Sequence, residues 1–422
     1  MTATMPGVSS TLHDTFSALE ISSQVHTHRV AIVARTGADP SATYAHDYDP
    51  KKYTSLADVG TVHGTDSELY EAFYHAQYSG CDDIWLCPIP NEVEIDRTTE
   101  LETAYESLFT IRPSIIVPYG RGAKISIDSA GTVTRTVPTF GDSPGVTDGA
   151  YADSTYDYLD GLADICAEIT ESERLCIGIL GIEALSDITA TGLAAEFGES
   201  GTLYDAIPDV SALTTPSNGK YVAVVAAEVE TAGMAPWAWR NGSTTTYYRS
   251  NGALNYAGLI SRLALPDAPT NKIVTGISNI AYRLSRAQTL LCVTNKLVTF
   301  NVLNGIVRVD DAMTYAEDNS DYQRQSTVLI VGQVDDMIRA IGRRYIGKGM
   351  NQSVRDSFVT SVASGLDILT KSGVIIQADF NVRFDGPNSV AYVDVVVVPA
   401  WELRRIELSV RVTFQGINSN AQ

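Results

Sequence analysis

Residues 406–414 read Ile-Glu-Leu-Ser-Val-Arg-Val-Thr-Phe. Ile406, Leu408, Val410, Val412 and Phe414 alternate with Glu407, Ser409, Arg411 and Thr413. A period of two puts five apolar side chains on one face of a strand and the polar ones on the other. Such a strand needs a hydrophobic partner, yet only residues 415–422 follow it. It can pair inside its own domain, or it can add to the sheet edge of another chain.

The preceding residues describe a compact α+β unit. Ser353-Val354-Arg355-Asp356 reads as a capping box, and Val354, Phe358, Val362, Leu366 and Leu369 recur behind it at helical spacing. The helix is expected to stop at Lys371-Ser372-Gly373, a basic last turn before a glycine suited to the left-handed region. Residues 374–384 and 390–398 read as strands around the turn Asp385-Gly386-Pro387-Asn388. Val395-Val396-Val397-Val398 is apolar on both faces, which marks a central strand, and Pro399 ends it. An earlier helix, 334–346, carries Met337, Ile338, Ile341 and Tyr345 on one side. Arg339, Arg343, Arg344 and Lys348 cluster on its other face and last turn. These cations either complement the helix dipole or form a contact surface.

The order of these elements resembles the C-terminal domain of contractile tail sheath proteins, which form the outer cylinder of myovirus tails and related injection particles. The resemblance rests on a helix with a basic end, a Gly-Asn-rich turn and a long helix ending in LDILTKSG. A strand pair and VPAWELRRIELSVRVTF complete it. It extends upstream through GLISRLALPDAPTNKIVTGISNI and includes Met-Pro-Gly-Val at residues 5–8. It breaks at 285–291, where SRAQTLL stands in place of the family's usual WG.RT-type motif. The resemblance implies a structural, non-catalytic subunit without cofactors that polymerises with itself around a tail tube protein. Baseplate and tail terminator proteins would be its other partners, in a virion tail assembled in the host cytoplasm. It also implies that Ile406, Leu408, Val410, Val412 and Phe414 form an intersubunit strand. Arg339, Arg343, Arg344 and Lys348 would then face the tube.

Composition sets independent bounds. With 422 residues, 44% hydrophobic and 19% charged, the chain can build two or three domains with their own cores. No apolar run approaches bilayer-spanning length, and the first eight residues hold no secretory apolar region, so a cytosolic origin is expected. A net charge of −20 argues against nucleic-acid binding. From residue 321 onward there are 11 Lys/Arg and 10 Asp/Glu, so the acidic surplus lies upstream. Cys81, Cys87, Cys166, Cys176 and Cys292 form no CxxC pair and have no histidine at ligand spacing, which leaves buried free thiols.

Before the terminal unit an α/β alternation runs through the chain. Strands are expected at 30–34, 84–87, 114–117, 175–180 and 221–228, and helices at 66–78, 98–110 and 156–170. A Gly/Thr-rich hairpin or insertion occupies 120–149. The pattern means an open, largely parallel sheet. Ligands of such sheets bind at the carboxyl ends of strands. Those ends read Arg35-Thr36-Gly37, Pro88-Ile89-Pro90, Pro118-Tyr119-Gly120 and Gly181-Ile182-Glu183, with no nucleophile elbow, dinucleotide turn or metal-binding acid cluster. Residues 342–349 mimic a phosphate loop, but Gly349 stands where the metal-holding hydroxyl belongs. His26 and His28 share a strand face without a third ligand. Trp237, Trp239, Tyr247, Tyr248 and Tyr256 form either an ordered cover over a domain junction or a contact patch.

The expected fold is therefore multidomain α/β and α+β. Residues 1–28 form an N-terminal arm or a frayed terminus. Residues 29–265 form an outer α/β domain with an insertion around 120–150. Residues 266–422 form an assembly domain, with a hinge near Pro266-Asp267-Ala268-Pro269. A cytosolic α/β enzyme of hydrolase type is the competing reading. A sheath of a genome-free particle is a close variant of the first.

Overall fold

A computed structural model describes residues 28–36, 48–89, 97–120, 123–136, 150–172, 174–182, 185, 187–197, 210–233, 239–241 and 244–402. In chain order the first half contains β1 (Arg29–Arg35), β2 (Lys51–Lys52), α1 (Leu56–His63), α2 (Glu68–Ser79), β3 (Asp83–Ile89), α3 (Arg97–Ser107) and β4 (Ile115–Pro118). Then come β5 (Lys124–Ile127), β6 (Val133–Thr136), α4 (Ala150–Ser172), β7 (Ile177–Gly181), α5 (Ala190–Glu196) and β8 (Val222–Val225). β9 (Val229–Thr231), β10 (Trp239–Asn241), β11 (Thr244–Tyr248), α6 (Ala253–Ile260), β12 (Ile277–Ile280), α7 (Arg286–Thr294) and β13 (Leu297–Val298) follow. The last elements are β14 (Phe300–Leu303), β15 (Ile306–Val309), α8 (Gln325–Arg343), α9 (Gln352–Ser372), β16 (Ile375–Asp385) and β17 (Val390–Pro399).

The expected open sheet is present. Its order is β13-β8-β7-β4-β1-β3-β2, parallel throughout except where β2 meets β3. β1 sits inside it because Val30, Ala31, Ile32, Val33 and Ala34 are apolar on both faces, and none is more than 2% exposed. α2 starts where Ser67 accepts a hydrogen bond from the Tyr70 N–H and stops at Gly80, whose φ of 89° suits a residue without a side chain. The expected hairpin at 120–149 includes β5 and β6. It continues into a second sheet, β10-β11-β5-β6. That sheet is pinned to the main body by charges: Arg135 on β6 and Arg249 both reach Glu228, at 2.7 and 3.1 Å, and Arg249 also reaches Glu230 at 2.6 Å.

Among the described residues two large apolar cores stand beside two minor clusters, and the chain divides between the large ones inside α8. One core runs from β1 to Val331, the other from Ile330 to Val397. The expected junction at 266–269 does not coincide with this division. Pro266 and Pro269 mark turns after which the chain returns to the first core with Val274, Ile280 and Tyr282, and to the main sheet through β13. Prolines record a local change of direction; the fate of the following apolar residues records the domain.

Candidate assembly surface

The second core is built from α8, α9, β16 and β17. Ile330, Val334, Met337 and Ile341 of α8 face Phe358, Val362, Leu366 and Leu369 of α9. Gly365 permits the close crossing, because a Cβ there would lie 2.1 Å from the Met337 sulfur. α9 is capped by Asn351, whose side chain accepts from the Val354 N–H at 3.0 Å. The expected cap at Ser353 is therefore wrong by two residues. Asn351 has the extended backbone a cap requires, and Ser353 already lies inside the helix. The C-terminal stop at Gly373 is as expected, with φ 76°.

β16 and β17 pair in antiparallel register around the expected turn. Val395 and Val397 point into the core, at 3% and 0% exposure. The opposite face of β17 carries Val390, Tyr392 and Val396, and Val396 is 54% exposed. A strand apolar on both faces was expected to be central. Among the described residues it has one neighbour, β16, and an unpaired second edge. Phe380, Val382, Phe384 and Val393 face the helices yet are only partly buried. Trp401, just beyond β17, is 83% exposed. The strand expected at 406–414 lies outside the described residues, with Ile406, Leu408, Val410, Val412 and Phe414. The arm at 1–27 also lies outside them.

The basic residues of α8 separate into two kinds. Arg343, Arg344 and Lys348 are exposed around the helix end, beside exposed Ile346 and Met350, and the Lys348 ammonium lies 4.6 Å from the centre of the Tyr345 ring. The Tyr345 hydroxyl lies 2.9 Å from Ser357 and 2.9 Å from Ser361, which ties this turn to α9. Those hydrogen bonds, with Lys348 and Arg344 nearby, hold its pKa below the usual tyrosine range. Arg339 corrects the expected four-residue surface. It is 1% exposed, and its Nη2 lies 2.8 Å from Asp335 one turn earlier. Position i, i+4 placed it beside a carboxylate on the inner side of the helix, where a buried cation requires a partner.

Asp336, next in sequence, faces the first core. Its carboxylate accepts the Leu175 N–H at 3.2 Å, and burial pushes its pKa up to about 6. Gly332 lets α8 approach the same residue, since a Cβ there would lie 2.3 Å from a Leu175 methyl. The two cores therefore meet at a small joint made by Gly332, Asp336 and Leu175.

No family model and no curated protein matches the sequence. Solved structures do match. The anti-feeding prophage baseplate in its contracted state is similar over 98% of this chain and 100% of that one, at TM-score 0.63 and 14% identity. The helical sheath of that particle in the contracted state matches over 97% and 99%, at TM-score 0.58 and 13% identity. The PVC sheath complex of an extracellular contractile injection system, also contracted, matches over 98% and 99%, at TM-score 0.60 and 14% identity. The chain has the contractile-sheath fold.

The described strand ends of this sheath fold can be taken residue by residue. Thr36 and Tyr119 lie at the carboxyl ends of β1 and β4, where the strand order reverses. The nearby His75 is fully buried, lies 2.7 Å from Thr231 Oγ1, and is held neutral because burial lowers its pKa to about 3. No group of His, Cys, Asp and Glu that could hold a metal occurs among the described residues, and no described helix is long and apolar enough to cross a membrane. The aromatic segment divides as well. Tyr256 is 0% exposed and belongs to the first core, while Tyr247 and Tyr248 are half-buried on β11. Trp237 lies outside the described residues.

Proposed function

We propose that this chain is the structural, non-catalytic subunit of a contractile sheath. It polymerises helically around a tube and contracts to drive that tube through a target envelope. The observation that carries the reading is the near end-to-end likeness of fold to sheath and baseplate chains. Partners in this reading are further copies of the chain, a tube protein, and baseplate and terminator proteins at the two ends. The place of action is the tail of a virion or of a related particle released from the producing cell.

Residues 406–414 act as the link between copies. A third strand beside the β16–β17 pair would lay five apolar side chains over the half-covered Phe380, Val382 and Phe384. Burying each contributes about 1.5–3 kcal/mol at most, before ordering and association costs are subtracted. Arg343, Arg344 and Lys348 meet an acidic tube surface, a contact that weakens with salt. Residues 1–28 serve as the second arm.

Negative-stain electron microscopy of the purified chain, with and without tail tubes, tests the reading. Hollow striated cylinders of uniform width are expected. Discrete small particles under both conditions refute it.

A further inference from the structure

Cys166 lies in the last third of α4, and Cys176 lies immediately before β7. Both are 0% exposed, and their sulfurs are 3.8 Å apart. The contact is held from the backbone side. The Cys176 N–H donates to the Thr170 hydroxyl at 3.0 Å, and that hydroxyl donates back to the Cys176 carbonyl at 3.3 Å. Residue 176 is thereby fixed over the end of the helix that carries residue 166. A disulfide needs the sulfurs at about 2.05 Å, a closure that side-chain rotation can supply where the backbone is already close.

We propose that Cys166 and Cys176 form an oxidisable dithiol, a modification site at which a peroxide converts the pair to a disulfide that staples α4 to the start of β7. One sulfur attacks the peroxide oxygen and becomes a sulfenic acid, releasing water. The second displaces the hydroxyl as a further water and closes the S–S bond. Two electrons pass from the two sulfurs to the peroxide, and both thiol protons leave in water. Burial raises the Cys166 pKa well above its ordinary value, which makes the first step slow. The neighbouring sulfur then captures the sulfenic acid before a second peroxide can arrive.

The position gives the staple a consequence. Leu175, adjacent to Cys176, is the residue whose side chain meets Gly332 and whose N–H is accepted by Asp336. Closing the disulfide stiffens the turn on which α8 leans, and so the joint between the two cores. A reducing cytosol would keep the pair open, and an oxidising medium would close it. The inference stands on the sulfur geometry and does not depend on the sheath reading.

The test is incubation of the folded full-length chain with hydrogen peroxide. Thiols titrated in denaturant should fall by two of the five. A proteolytic peptide linking Cys166 to Cys176 should appear. Thermal unfolding should shift upward by roughly 2–5 °C, reversibly with dithiothreitol. Both C166S and C176S should lose the shift, while C81S keeps it. Sulfinic acid at either residue, loss of other thiols while this pair stays reduced, or a linked pair with no thermal shift would each overturn the proposal. The wild-type peptide map decides the linkage even if a serine variant fails to fold.

Discussion

Replacing Arg339 by methionine separates a buried ion pair from a surface charge on the same helix. The guanidinium is 1% exposed and lies 2.8 Å from Asp335, whose side chain is 8% exposed. Removing it leaves a buried carboxylate without its guanidinium. Asp336 is the next residue, and burial already disfavours its charged form. Breaking a buried pair from one side costs about 3–5 kcal/mol, whereas replacing both partners with apolar residues of similar volume is often neutral. Arg339→Met should therefore lower stability by about 3–5 kcal/mol, and Asp335→Leu with Arg339→Met should recover most of it. Arg343→Met, on the exposed end of the same helix, should stay within about 0.5 kcal/mol. Urea unfolding followed by far-ultraviolet circular dichroism gives the three values. If the cores unfold separately, only the transition containing α8 should move. Equal effects of Arg339→Met and Arg343→Met would refute the division into a structural and a surface arginine. A double variant no better than Arg339→Met would show that side-chain packing, not charge, is what the position needs.

Other predictions follow from the same geometry. The raised pKa of Asp336 means that the folded state binds more protons than the unfolded chain between about pH 4 and 6. The protonated carboxyl is favoured below that window, and stability falls as pH rises through 6. Asp336→Asn keeps an oxygen for the Leu175 N–H, so it should remove this slope and stabilise the protein at pH 7 by up to about 3 kcal/mol in pH-dependent urea unfolding. Gly332→Ala places a Cβ 2.3 Å from Leu175, so overpacking of about 1–3 kcal/mol should exceed the roughly 1 kcal/mol gain in helix propensity. Unfolding midpoints read the net loss. Glu228→Gln should loosen the β5–β6 hairpin, since it removes the charge shared by Arg135 and Arg249, and amide exchange at 124–136 should rise selectively. Charge reversal of both Arg343 and Arg344 should abolish assembly on tubes and spare tube-free polymers, as judged by electron microscopy. Loss of both kinds of assembly would make those residues structural.

The parallel sheet was legible because β1, β3 and β4 are short apolar runs alternating with helical patterns, and local composition decided them. α8 was legible only in its second half. Its first half holds Val328-Leu329-Ile330-Val331, a strand-like run followed by Gly332, and the expected start at 334 came after it. That half is helical because Ile330 serves one core, Val331 serves the other, and Gly332 makes room for Leu175. The contact with Leu175 lies more than a hundred and fifty residues away in sequence and leaves no local signal. Arg339 failed for a related reason. Four cations in ten residues look like a surface, but Asp335 four residues earlier was the available sign that one of them turns inward.

Among the described residues the second core rests on a two-stranded sheet, and this bears on how a subunit could remain linked through a large movement. Two strands seldom make a stable sheet, and β17 offers an unpaired edge and an exposed apolar face among the described residues. In the proposed assembly, a third strand added to this sheet would stabilise the folded unit and the contact between copies with the same buried area. Order in this unit is then linked to assembly by mass action. Removing residues 406–422 should leave the first core folded, lower the protection of α9 and β16–β17 against amide exchange, and abolish polymerisation. Continued polymerisation by the truncated chain would refute the strand as the link. Unchanged protection together with lost polymerisation would confine its role to the neighbour and show that the second core is complete without it.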